Sequence, residues 1–143
     1  MENLKKMIEN LHIECTEKML QQFAVYMEGV LEWNEKINLT AITDRDEFIV
    51  KHYVDSLIAK DIEAMKYAET VIDVGTGGGF PGVPLVIIFP EKQFVLMDSL
   101  NKRIKFLFFF FSLVLCYDLF GKLCRNFFIS FEMHYEASSR LCH

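Results

Sequence analysis

The sequence predicts an α/β fold, with an N-terminal helical region ahead of parallel strands, and three observations carry that expectation. Apolar residues recur at helical spacing from the start of the chain to about Tyr67. The period then changes to two short apolar runs, Thr70–Val74 and Gln93–Met97. Between the runs lie a glycine-rich loop and an apolar helical stretch. The resulting order of strand, loop, helix, strand and helix requires parallel strands joined by a right-handed crossover.

The helices are read from side-chain spacing. Leu4, Met7, Ile8 and Leu11 form a first stripe; after a break near Thr16, Leu20, Phe23, Ala24, Met27, Val30 and Leu31 form a second. From Trp33 to Thr43 the period is lost and Asn34, Asn38, Thr40 and Thr43 gather, which predicts a loop. Asp44 followed by Glu47 resembles a capping box, and Phe48, Ile49, His52, Tyr53, Ser56 and Leu57 mark one face of a third helix. Beyond the second strand, Asn101 to Leu107 begins another helical pattern.

The character of the chain changes near Phe108. FFFFSLVLCYDLF is almost wholly apolar, and the residues from Gly121 to His143 have no sustained period. The expected division is a helical region at 1–67, a ligand-binding unit at 68–107 and an atypical Phe-rich tail at 108–143. As a membrane span the run is too short, since a crossing takes about 20 residues and Asp118 interrupts it.

Composition narrows the function. At 143 residues and 52% hydrophobic composition the chain is a globular domain, and its net charge of -5 excludes a general nucleic-acid coat protein. Charge is uneven: Met1 to Val50 holds five basic and ten acidic side chains, Ser99 to His143 six basic and three acidic. The opening MENLKKMIENLHIE has no apolar signal core, so a cytoplasmic protein with reduced thiols is expected. Neither a membrane nor an obligate protein partner is implied. Cys124, His134, Cys142 and His143 lack the paired short spacings of a zinc site, and no metal is expected.

The chemistry lies in VIDVGTGGGFPGVPL. Gly75, Gly77, Gly78, Gly79 and Gly82 follow a predicted strand and precede a predicted helix, so backbone can approach a ligand closely at Gly77 and Gly79. The helix starting near Pro81 or Gly82 is expected to present free N–H groups to an electron-rich ligand. Asp98 ends the second strand, where a carboxylate can bind a ribose diol. Asp73 adds negative charge beside the loop, which suits the sulfonium and ammonium of S-adenosylmethionine and repels a pyrophosphate. Gly77, Gly79 and Gly82 also satisfy G-x-G-x-x-G, so an NAD-dependent oxidoreductase and a non-enzymatic nucleotide-binding module are the alternatives.

Three blocks resemble one family. They are Trp33-Asn34 with Asn38-Leu39-Thr40-Ala41-Ile42-Thr43; His52 with Asp55-Ser56-Leu57; and DVGTGGGFPGVPL followed by Asp98-Ser99, Lys102-Arg103 and Phe106-Leu107. Together they are similar to the RsmG/GidB family, which uses S-adenosyl-L-methionine to methylate guanine N7 in small-subunit ribosomal RNA. The resemblance runs from Met1 to about Leu107. It implies a Rossmann-like class I methyltransferase fold with an N-terminal helical region, and Gly75 and Phe80 among the cofactor contacts. It also implies ribosomal RNA or the small ribosomal subunit as partner.

Guanine N7 carries a lone pair and no proton, so no general base is expected; the chemistry needs alignment. His52, on an apolar helix face, is expected to be a hydrogen-bonded core residue. Lys102 and Arg103 face either RNA phosphate or solvent. The family pattern stops near Leu107, and the Glu136-Ala137 pair lies in no comparable context. The expectation is therefore an incomplete fold: a truncated product whose tail arose from a frameshift or a sequence error.

Overall fold

A computed structural model describes residues 2–114 and 127–130, with side chains as far as Phe110. Its helices are α1 (Glu2–Asn10), α2 (Glu17–Ile37), α3 (Arg45–Phe48), α4 (Asp55–Ile58), α5 (Glu63–Tyr67), α6 (Gly82–Ile88) and α7 (Asn101–Val114). A π-helical segment, Ile49–Val54, joins α3 to α4. The strands β1 (Thr70–Val74), β2 (Gln93–Met97) and β3 (Phe127–Ser130) form a parallel sheet in that order.

The N-terminal helices form as their apolar stripes dictate. Helix α1 buries Leu4 and Ile8, and α2 buries Leu20, Phe23, Tyr26, Met27 and Val30. The break near Thr16 is a helix start, where Thr16 Oγ1 accepts the Met19 N–H at 3.2 Å. The loop expected from Trp33 begins only at Asn38. Trp33 packs on Phe106 and Phe109 of α7, with ring centroids 5.6 and 5.1 Å apart, and this packing holds the last turn of α2 against local turn preference. Helix α2 then ends at Asn38, left-handed at φ 52°.

The third expected helix starts where the Asp44 cap requires, with Oδ1 accepting the Glu47 N–H at 2.9 Å. It is not one uniform helix, because the π-helical turn interrupts it. Helix α7 passes the change of composition at Phe108 because Phe106, Leu107 and Phe110 keep helical spacing and are all buried. Phe110 lies against Gly29 of α2, where a Cβ would come within 3.0 Å of its ring.

The sheet is parallel, as the order of elements predicts, with Thr70 opposite Gln93 and Val74 opposite Met97. Phe127–Ser130 adds a strand that lack of periodicity hides, pairing Phe94 with Phe127 and Met97 with Ser130. Helices α6 and α7 share one core with Phe94 and Leu96 of β2, and α2 packs on both helices. The core is continuous from Leu4 of α1 through Phe94 and Leu96 of β2 to Phe110 of α7. Among the described residues, β1 is an edge strand and its Ile72 and Val74 are 60% and 63% exposed.

No described helix is long and apolar enough to cross a membrane. Cys15 is a free thiol, raised in pKa chiefly by burial. Cys116, Cys124, His134, Glu136, Ala137, Cys142 and His143 lie outside the described residues. Replacing the α2 cap, Thr16→Ala, is expected to lower stability by about 1 kcal/mol in urea denaturation, because one helix N–H loses its acceptor.

Candidate functional site

The loop from Gly75 to Pro81 sits at the carboxyl ends of β1 and β2. Gly75 and Thr76 both donate their N–H to Met97 O, at 2.8 and 3.0 Å, which folds the loop over the end of β2. Asp98, the next residue, is 5% exposed. Its Oδ2 accepts the Gly77 N–H and its Oδ1 the Leu100 N–H, both at 2.8 Å. Arg103 reaches Oδ2 from α7 at 3.4 Å, while Lys102 is exposed. Asp98 therefore joins the glycine loop to the turn after β2, and Arg103 serves this carboxylate.

Asp73 does a second job at the other end of the loop. One oxygen, Oδ2, accepts both the Thr76 hydroxyl at 2.7 Å and the Gly82 N–H at 2.9 Å. Val83 donates to Gly79 O at 2.7 Å, and Pro84 has no N–H to offer. The start of α6 thus has its donors engaged internally, contrary to the expectation of free N–H groups facing a ligand. A carboxylate that ends β1 lies within reach of the helix it precedes in space, and it caps that helix. Burial raises the Asp73 pKa, opposed by its bonds from Thr76 and Gly82.

The loop glycines divide by what surrounds them. Gly75, at φ 81°, would meet nothing within 4 Å if it carried a Cβ, and Gly77 would meet only Gly75 O at 4.0 Å. This side of the loop is open. Gly79, at φ 102°, would drive a Cβ into the Tyr26 hydroxyl and within 2.7 Å of Val83, so its flank packs against protein. Gly82 is enclosed in the same way by Leu96 and Asp73.

Phe80 turns its ring toward the N-terminal helices. It stacks on His52 at 4.2 Å with 13° between planes, and lies 5.4 Å from Tyr26 and 5.7 Å from Phe48. Tyr26, fully buried on α2, donates its hydroxyl to Gly78 O. Burial raises its pKa well above the ordinary tyrosine value, so the proton needed for that bond stays on. The apolar stripe read from the sequence of α2 does not include Tyr26. The available signal is chemical, since a tyrosine beside an apolar stripe needs a partner for its hydroxyl when buried. The structure therefore brings Gly75, Gly77, Gly79, Phe80 and Asp98 into one loop cluster, with Gly75 and Gly77 on its open side.

A parallel α/β sheet that gathers a glycine loop and two carboxylates at its carboxyl strand ends has the arrangement in which such sheets bind ligands. A profile of the family described as rRNA small subunit methyltransferase G matches residues 19–112. Proteins named ribosomal RNA small subunit methyltransferase G from Alkaliphilus metalliredigens and Clostridium perfringens are each 48% identical over 104 residues, covering 73% of this chain and 44% of theirs. One from an Exiguobacterium species is 54% identical over 94 residues, 66% of this chain and 40% of its own. The chain belongs to the rRNA small subunit methyltransferase G family. It spans less than half the length of these relatives.

This geometry has two measurable consequences. Tyr26→Phe leaves Gly78 O without its buried donor and is expected to cost about 1–3 kcal/mol in denaturant unfolding. For Asp73, a folded pKa raised above 3.8 means that its contribution to stability is present below that pH and is lost as pH rises through the folded value. Wild type should therefore lose stability relative to Asp73→Asn between acid and neutral pH, then run parallel to it. Urea titrations of both proteins across that range check the sign.

Proposed function

We propose that this chain is the S-adenosylmethionine-binding portion of a guanine-N7 methyltransferase acting on small-subunit ribosomal RNA, built on the beginning of a Rossmann-like class I methyltransferase fold. The observation that carries the choice of cofactor is the start of α6. Gly82 N–H is bound to Asp73, Val83 N–H to Gly79 O, and Pro84 has none. A dinucleotide pyrophosphate needs those amides free, and it would also meet the Asp73 carboxylate. S-adenosylmethionine has no phosphate and brings positive charge, so the same arrangement suits it.

The residues present fit a nucleoside without phosphate. Gly75 and Gly77 provide backbone with open space beside it, and Asp98 keeps acceptor capacity for a ribose hydroxyl on Oδ1, since Oδ2 already accepts from Gly77 and Arg103. Gly79 and Phe80 complete the proposed contact set, Gly79 by shaping the loop and Phe80 by seating it against the helices. When bound, the sulfonium supplies the methyl group; guanine N7 needs no proton removed, so the protein's task is to hold the two in line. The family and its relatives are named as methyltransferases, and neither the oxidoreductase nor the non-enzymatic module gains support from them.

On this proposal the chain divides into a helical region at 1–67, a cofactor unit beginning at 68 and a tail from 108, with α7 bridging the last two. The working site of the longer relatives would draw on residues beyond the matched segment, since this chain covers 44% of the first two. Calorimetric titration of the chain should show S-adenosylmethionine binding more tightly than NAD; tighter NAD binding overturns the proposal. In a methyl-incorporation assay on unmethylated small ribosomal subunits, a full-length relative is expected to transfer label and this chain to transfer none.

A further inference from the structure

Two sequence blocks that the cofactor loop leaves without a role meet at the ring of Phe80. Asn34 Oδ1 on α2 accepts the Thr40 N–H at 2.8 Å. Thr40 Oγ1 accepts the Ile42 N–H at 3.0 Å and lies 2.7 Å from His52 Nε2. The His52 ring then stacks on Phe80, the residue directly after the glycines. Phe48 meets the His52 ring edge-on at 4.7 Å, which fixes the stack from a second direction.

The local backbone is shaped for this contact. His52 sits in the π-helical turn Ile49–Val54, and such turns inside α-helices occur often at functional sites. Its neighbour Tyr53 is anchored by a hydroxyl bond to Phe23 O at 2.6 Å, and Ser56 binds His52 O. The ring is half-buried, and burial lowers its pKa.

We propose that His52 is a positioning residue for the cofactor loop. Thr40 sets the plane of its imidazole, the imidazole sets the plane of Phe80, and Phe80 holds Thr76 to Phe80 in the conformation whose open side is Gly75 and Gly77. His52 touches no reacting atom in this arrangement; it acts through Phe80. The effect on cofactor affinity rests on the proposed methyltransferase function, whereas the effect on the loop does not.

Amide hydrogen exchange and S-adenosylmethionine titration on the full chain test both parts. The Gly79 and Phe80 amides, bonded to Thr76 O at 2.8 and 2.9 Å, report the loop. His52→Ala is expected to speed their exchange by about tenfold relative to Phe94 and Leu96 in β2, the upper range of one aromatic pair. Cofactor affinity should fall in parallel by a similar factor. His52→Phe, which keeps a stacking ring but gives up the bond to Thr40, should restore both in part. Phe80→Leu should match His52→Ala, and the double variant should lose no more than either single one. Unchanged loop exchange, equal acceleration in β2, additive losses or failure of His52→Phe to rescue would each overturn the proposal. If the wild-type chain does not bind S-adenosylmethionine, the proposed function fails, and the exchange pattern still decides the role of His52.

Discussion

One oxygen of Asp73 fixes most of what the loop can be. By accepting from Thr76 and from Gly82, it ties the end of β1 to both the loop and the start of α6. The position of α6 relative to the strand, and the use of its first donors, depend on these two bonds. Burying a carboxylate is unfavourable, as its raised pKa records, and two donors to the charged form offset part of that cost. An asparagine could accept the same two bonds. What it could not supply is the negative charge beside the loop, and that charge distinguishes a site for a cation from one for a phosphate.

The second constraint comes from a different part of the chain. Tyr26 and His52 lie 52 and 28 residues before Gly78 and Phe80, yet they grip the loop from its packed side. The N-terminal helices are thus a wall of the loop rather than a separate attachment to it. Gly79 belongs to this interface, since any side chain there would displace the Tyr26 hydroxyl or Val83. A loop with three glycines at positive φ would otherwise be conformationally free. Its single shape is imposed jointly by hydrogen bonds from the sheet side and aromatic packing from the helix side.

The parts legible in the sequence are those written in local patterns. The stripes of α1 and α2, the Asp44 cap, the strands β1 and β2 and the glycine turn each depend on residues close together in the chain. The end of α2 is not legible, because Trp33 to Ile37 is held helical by α7, which lies some 70 residues further on. The roles of Asp73 and Gly82 are hidden for a related reason: periodicity cannot show that a strand-end carboxylate will cap the helix nine residues later. The sequence marks His52 as a bonded core residue, and its bond to Thr40 agrees, but its stack on Phe80 is a contact across 28 residues. Strand β3 escapes because FFIS is too short and too uniformly apolar to reveal its period.

The exposed face of β1 bears on how far binding and catalysis are separable. Parallel sheets are ordinarily covered on both faces, but α6 and α7 share one core with Phe94 and Leu96 of β2, and Ile72 and Val74 on the other face are more than half exposed. The bonds that shape the glycine loop come from Asp73, Thr76, Met97, Asp98, Tyr26 and the His52 stack, all on the covered side or at the strand ends. None of these contacts uses the open face of β1. The conformation of the loop is therefore determined within the segment this chain shares with its relatives, whatever covers β1 in them. On the proposed function, placing a guanine against a methyl donor is a different requirement, because it needs walls on the open side of Gly75 and Gly77, where a Cβ would meet nothing closer than 4.0 Å. The described residues are thus arranged to shape the loop, which is the part of the proposed function that their contacts support.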